Sequence, residues 1–325
     1  MAQVETVKGP IDTGELGRTL MHEHVFCLSP EVAQNYDTGW DEEAKVAEAS
    51  EKLNAVTAAG INSFMDLTVL GLGRDIPRIQ RICEQVPDLN VLVATGIYMY
   101  RDVPFYFYFQ GPGTILNGPE PMVDMFVGDI EEGIASTGVK AAMLKCAIDE
   151  PGLQPGVERI MRAVAQAHRK TGTPITCHTH AKSEQGLTAQ KVFEEEGVDL
   201  SRIVLAHCGD TSDTDYLEKL AEKGSYLGMD RFGIEVEHPF EERVATVAEM
   251  CERGHADKMI LSQDAGVFMD NLPWDLLPQL TPNWHYLHVV EDVIPELKNR
   301  GVSDEQVEQM MFENPRRIFE AQGGY

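Results

Sequence analysis

The sequence predicts an α/β fold, a (β/α)8 TIM barrel, and three observations predict it. Short β-rich or apolar runs alternate with longer stretches of helical periodicity; the runs number eight; and they read as continuous apolar segments, as parallel strands covered on both faces do. A length of 325 residues suits a barrel of ~250 residues with elaborated loops, and 1–325 is expected to form a single domain. The competing arrangement is an open doubly wound sheet. It usually shows a glycine-rich phosphate turn after its first strand, and no G-x-G-x-x-G occurs there.

In chain order the runs are 19–24 (TLMHEH), 61–68 (INSFMDLT), 91–98 (VLVATGIY), 141–147 (AAMLKCA), 174–178 (PITCH), 203–209 (IVLAHCG), 226–231 (YLGMDR) and 259–264 (MILSQD). Helical periodicity fills 41–59, 75–85, 121–136, 156–170, 184–196, 214–223 and 241–253 between them, then 285–299 and 303–321. The last stretch opens on Ser303, Asp304, Glu305 and Gln306, a capping-box pattern. Gly71, Leu72 and Gly73 follow the second run without a third glycine and are expected to be a loop.

With 27 basic and 53 acidic residues the formal charge is 27 − 53 = −26. Such an excess argues against nucleic acid and against an anionic membrane surface, though not against a small ligand drawn to a local cation. None of the six cysteines forms a C-x-x-C pair. They are expected to be buried reduced thiols, which points to a reducing, cytoplasmic setting. The opening MAQVETVKGPIDTGE has neither a basic leader nor an apolar core, and no run approaches 18 apolar residues, so neither Sec-type export nor a membrane span is expected.

The functional signal lies at the carboxyl ends of the runs: His22 and His24 on the first, Lys145 on the fourth, His178 on the fifth, His207 on the sixth and Asp264 on the eighth. In a barrel these ends converge on one face. Two residues apart on a strand, His22 and His24 point the same way and Glu23 the other. Alone, an H-x-H pair is more often two satisfied histidines than a metal site; further donors on other strands strengthen the metal reading. Lys145 sits between Leu144 and Cys146, where an uncompensated ammonium would cost several kcal/mol. It could snorkel outward to the helix layer, act as a Schiff-base amine, or be carboxylated by CO2. Carboxylation fits best beside several histidines, because it replaces a buried cation by a bridging anion. His180 repeats the H-x-H spacing with His178, and spacing does not choose between them. Asp264 could instead be a helix N-cap. His168, His238, His255, His285 and His288 fall in helices or loops and are assigned surface or structural roles.

Imidazole and carboxylate donors suit zinc foremost, and also cobalt, manganese, iron or nickel. Six donors with an anionic bridge exceed one tetrahedral centre and fit two divalent ions ~3.5–4 Å apart sharing a hydroxide.

This set resembles the amidohydrolase superfamily with a carboxylated lysine, and more narrowly the phosphotriesterase family. The likeness runs from LMHEH near residue 20 to ENPRRIF at 313–319. Gly96, Ile97 and Tyr98 with the aromatic stretch to Phe109, HCGDTSD from His207, and GMDRFG from Gly228 are similar to the phosphotriesterase-like lactonases, as are Tyr98 itself and the long final loop at 265–284. The resemblance implies a binuclear centre at the C-terminal face of the strands, with His22, His24 and Asp264 on a buried metal, His178 and His207 on an exposed one, and carboxylated Lys145 bridging them. It also implies a homodimer.

The pocket reading agrees. Residues 98–109 hold seven aromatics, which form either an apolar groove or, for 105–109, a dimer contact. Phe268, Met269, Leu272, Trp274 and Trp284 on the last loop add apolar surface. Together they would accept a polar head with an apolar tail, such as an N-acyl homoserine lactone, the substrate of quorum quenching. The expected mechanism is attack of a metal-bridging hydroxide on the lactone carbonyl. Tyr98 would donate to the carbonyl or leaving oxygen and Asp264 would accept the proton. Asp210 would relay it or orient a ligand, and Arg231 would contact substrate or form a salt bridge at the barrel mouth. The alternatives are a primary phosphotriesterase (aryldialkylphosphatase), with the lactonase showing that activity only as a side reaction, and a non-catalytic binding protein on the same scaffold.

Overall fold

The protein is described from a computed structural model over residues 2–321 and 323–325. Eight strands hydrogen-bond in chain order in one parallel sheet: β1 (Thr19–Glu23), β2 (Ser63–Asp66), β3 (Asn90–Gly96), β4 (Met143–Ile148), β5 (Ile175–Thr179), β6 (Ile203–Ala206), β7 (Tyr226–Met229) and β8 (Met259–Leu261). Side chains alternate across it. Leu92, Ala94, Met143 and Val204 fill the lumen, while Val91, Val93, Leu144 and Leu205 face the surrounding helices. The sheet is a nearly closed TIM barrel. Its edges, β1 and β8, are joined beyond the end of β8, where Asp264 donates its N–H to the His22 carbonyl (3.0 Å) and His24 donates to that of Ala265 (2.9 Å).

The helices α1 (Glu42–Ala58), α2 (Ile76–Gln85), α3 (Pro121–Glu131), α4 (Pro155–Thr171), α5 (Gln185–Glu195), α6 (Thr214–Glu222) and α7 (Phe240–Glu252) follow the expected stretches. Asp41, Asp75 and Asp213 cap three of them through their side chains. The stretch expected to run to 136 stops at Glu131 and resumes as a 3-10 turn at Ile134–Ser136. The two C-terminal stretches are interrupted as well. Each passes through a π-helical turn, Val289–Val293 and Gln309–Glu313, before Ile294–Asn299 and Asn314–Glu320. Pro295 and Pro315 lie just past these turns. A proline has no N–H to return to the carbonyl four residues back, so the ladder widens there. The capping box is present: Ser303 accepts from the Gln306 N–H and Gln306 accepts from the Ser303 N–H.

Two strand pairings have no counterpart in the sequence reading. An antiparallel hairpin, Gln3–Thr6 with Gly9–Asp12, contributes Val4 to the lumen cluster. A short parallel pair joins Phe26–Cys27 to Phe268–Met269 above the barrel rim. All six cysteines are buried and unpaired. No helix among the described residues is long and apolar enough to cross a membrane.

Several strands stop short of their expected ends because the chain leaves them in unusual conformations. His207 and Asp264 both have left-handed backbones, at φ 65° and 54°. Gly96 closes β3 at φ 139°, and a Cβ there would lie 1.8 Å from the Lys145 carbonyl oxygen. Gly96→Ala is therefore expected to destabilise the fold by more than about 2 kcal/mol, read as a lowered urea midpoint. A midpoint equal to the wild type would show that β3 and β4 do not approach as described.

Candidate metal centre

The alternation that fills the lumen with apolar residues also turns Lys145 and His178 inward, at the level where the chain leaves β1, β6 and β8. Lys145 thus does not snorkel to the helix layer. Its Nζ lies 2.9 Å from His22 Nε2 and 5.4 Å from the centre of the Tyr98 ring. The side chain is buried, and burial lowers its amine below the usual lysine value despite the pull of Asp264.

Asp264 Oδ1 is 3.4 Å from both His22 Nε2 and His24 Nε2, and these three residues form a group able to hold a metal ion. His207 Nε2 lies 3.9 Å from Asp264 Oδ2, and the His178 and His207 rings are 4.4 Å apart. The six residues expected at the centre are therefore together. His180 is outside it, bonded to Ser183 (2.7 Å).

Each of the four imidazoles has one nitrogen committed to an acceptor. His22 Nδ1 and His207 Nδ1 both reach Asp230, at 2.7 and 2.9 Å. His178 Nε2 reaches Asp149 at 2.5 Å. His24 Nδ1 donates to Thr68 Oγ1 (2.8 Å), which passes its own hydrogen to Asp66 (2.6 Å). A carboxylate only accepts, so the facing nitrogen carries the proton and the opposite one keeps its lone pair. The lone pairs of His22, His24 and His207 point at the cluster of Asp264 and Lys145 and that of His178 faces the Tyr98 hydroxyl, and this is the arrangement of metal-binding histidines oriented by outer partners. His22, His207 and Asp230 also form a compact group, but Asp230 meets only the far nitrogens and reads as their brace.

Electrostatics support the same division. Burial lowers His24 to about 4, with Asp264 opposing it, and His178 to about 4, with Asp149 opposing it. Burial pushes the Asp264 carboxyl up, but His22, His24, His207 and Arg231 outweigh it and hold it well below the usual carboxylate range. A neutral His24, a neutral His178 and an ionised Asp264 are donors in the state a divalent cation needs.

Above the cluster opens a cavity of about 400 Å³ lined by His24, Tyr98, Tyr100, Lys145, His207, Arg231, Asp264 and Trp284, with Leu72, Val236, Met269 and Leu272 as apolar wall. The Tyr98 hydroxyl touches that of Tyr100 and lies 3.2 Å from His178 Nδ1. Arg231 bonds Asp264 (3.2 Å) and Asp210 (2.9 Å), and Asp210 also pairs with buried Arg243 (2.7 Å). The salt bridge expected of Arg231 as the alternative to substrate contact is present, and the residue also lines the cavity.

The pocket reading needs correction in its loops. Phe268 is not on this cavity: it is held in the rim strand and packs on Trp40, with Lys45 over its face. Trp274 lines a neighbouring cavity of about 310 Å³ instead. Of the aromatics at 105–109, Phe107 is buried and the other four face solvent, away from the cluster.

The chain matches the phosphotriesterase family over residues 2–319. It belongs to the phosphotriesterase family. A Mycobacterium tuberculosis protein described as a phosphotriesterase homology protein is 60% identical over 326 residues, spanning 100% of both chains. A Saccharolobus solfataricus protein named aryldialkylphosphatase is 35% identical over 317 residues, 96% of this chain and 98% of its own. The solved structure of the phosphotriesterase from Mycobacterium tuberculosis matches with a TM-score of 0.98 and 60% identity, over 99% of this chain and 100% of that one. The protein is thus a phosphotriesterase-family hydrolase with candidate His/Asp metal-binding groups at the strand ends.

Sequence reasoning missed Asp66, Asp149 and Asp230. Asp66 and Asp230 stand at or just past strand ends, so the criterion that found the histidines also finds them once carboxylates are included. Asp149, one residue past β4, carries the same signal.

In the metal-free protein the ring resonances of His24 and His178 are expected to titrate with midpoints near pH 4 instead of the ordinary 6.5, both rings staying neutral above that point. Histidine-selective NMR reads this directly. Midpoints at 6.5 would show that these rings are open to water.

Proposed function

We propose that the protein is a metal-dependent lactonase that opens N-acyl homoserine lactones and other γ- and δ-lactones, with weaker hydrolysis of organophosphate triesters. The observation that carries it is the joining of one donor cluster to one half-apolar cavity: imidazoles, Asp264 and Lys145 at the floor, Tyr98 and Arg231 at the side, apolar wall above. A lactone has the matching shape, a polar ring with an apolar tail.

The donor chemistry fits two divalent cations: His22, His24 and Asp264 would hold one, His178 and His207 the other, with Lys145 between them. Such ions would ionise a shared water at neutral pH and polarise the ester carbonyl. Lys145 is suited to carboxylation. Its neutral amine would form an N–C bond with dissolved CO2 and release one proton to solvent, leaving a carbamate anion. Asp264 would accept the proton of the attacking water. Tyr98 would donate its hydroxyl to the ester oxygen, and Arg231 would orient the substrate while staying charged between Asp264 and Asp210. The exposed Phe105, Tyr106, Tyr108 and Phe109 support a homodimer.

Primary phosphotriesterase activity is the second reading, favoured by the name of the 35% identical relative. Comparing kcat/KM on an acyl homoserine lactone, an unsubstituted γ-lactone and paraoxon separates the two. The lactones are expected to exceed paraoxon by more than about tenfold; the reverse order makes phosphotriesters the primary substrates.

Lys145→Ala should lose bound metal and about 1000-fold or more of kcat, with partial return on adding a short carboxylate. Full activity in that variant would remove the lysine bridge. Tyr98→Phe should lower lactone turnover about tenfold and phosphotriester turnover less. Equal losses would leave Tyr98 without a lactone-specific role.

A further inference from the structure

The middle residue of the H-x-H run takes no part in the chemistry above, yet Glu23 is completely buried. Its Oε1 accepts from Ser262 Oγ (2.8 Å) and the Gln263 N–H (2.8 Å), and its Oε2 accepts from the Ala265 N–H (2.8 Å). Between these two amides, Asp264 donates its N–H to the His22 carbonyl (3.0 Å). Ser262 Oγ in turn accepts the His22 N–H (3.0 Å). The first strand thus grips 262–265 at every residue, and a side chain supplies much of the grip.

A regular ladder could not do this. β8 ends at Leu261, and a left-handed residue at 264 breaks the alternation of N–H and C=O that pairs parallel strands. Holding a non-glycine residue there costs about 1–2 kcal/mol and needs surroundings that over-determine it. On the far side of the turn the Trp284 indole N–H donates to the carbonyls of both Gln263 (3.0 Å) and Asp264 (3.1 Å).

We propose that Glu23 is the positioning residue for Asp264: its carboxylate replaces the missing β1–β8 ladder, keeps residue 264 left-handed, and so sets Oδ1 midway between His22 and His24. The proposal rests on the metal-centre reading for its functional consequence. It also explains why the buried group is a carboxylate. Three donors converge on it, and an amide in the same place would turn an N–H group against one of them. Aspartate is a methylene too short to span both amides.

The test compares the wild type with Glu23→Gln in cobalt-loaded and metal-free forms. The variant is expected to fold, to lose about 10–100-fold in affinity at one of two cobalt sites, and to show altered visible absorption of the remaining bound cobalt. The amides of 263–265 should exchange with deuterium more than about tenfold faster than in the wild type. A variant that melts earlier but keeps the wild-type cobalt spectrum and affinity would make Glu23 structural only and overturn the proposal. If Glu23→Gln does not fold, the wild type decides: the Gln263 and Ala265 amides must exchange as slowly as those of β6, and fast exchange refutes the brace. If the wild type binds no divalent ion, the metal-centre reading fails; unchanged exchange at 263–265 in the variant then refutes the brace separately.

Discussion

Four imidazoles, an amine and a carboxylate inside an apolar barrel can coexist only if every polar atom facing away from the cluster has a partner. Desolvation acts first: it makes His24, His178 and His207 poor bases and lowers the Lys145 amine. Asp230, Asp149 and the Thr68–Asp66 pair then fix which nitrogen carries each proton. The lone pairs that result on His22, His24 and His207 are aimed at the cluster. Asp66, raised to about 6 by burial, shows how much this arrangement costs its outer members. The centre is pre-organised for cations because Asp149, Asp230 and Asp264 outnumber the one fixed cation that borders it, Arg231.

The path from Asp264 outward is built differently. Arg231 lies between Asp264 and Asp210, and burial is outweighed by those two carboxylates, so its guanidinium stays charged. A group that keeps its proton cannot pass one on. Asp210 therefore faces Asp264 across a fixed positive charge, and the relay expected of it has no route through Arg231. Arg243 anchors the far end, donating to the carbonyls of Gly209 and His238 as well as pairing with Asp210. The loops that follow β6 and β7 are thereby tied to the same electrostatic chain that ends on Asp264.

The barrel was legible because its strands, covered on both faces, stand out as short continuous apolar runs between stretches of helical period 3.6. The histidines, Lys145 and Asp264 were legible for a second reason: polar residues at the ends of apolar runs have no bland explanation in bulk. The π turns before Pro295 and Pro315 were not, since periodicity reports a helical face and not which carbonyl accepts each bond. Phe268 and Trp274 were misplaced for a related cause. Aromatic composition marks a loop as apolar, but the strand pairing of Phe268–Met269 with Phe26–Cys27 decides which way the loop folds. Glu23 was read correctly as pointing away from His22 and His24; what it meets there depends on where β8 ends, a long-range fact with no local trace.

Trp284 brings the seam and the pocket into one account. Its ring borders the cavity where a substrate would lie, while its indole N–H holds the two carbonyls that flank Asp264. The same residue thus shapes what the cavity accepts and supports the turn that places a candidate ligand. A phenylalanine at this position keeps much of the wall but leaves two buried carbonyls without their donor, a loss of about 1–3 kcal/mol in local stability. Specificity and metal positioning are therefore coupled on this loop, and substitutions that reshape the pocket at 284 act on the centre as well. Met269 and Leu272 line the same cavity without bonding to the turn through their side chains, so the pocket can be varied there with the centre left intact.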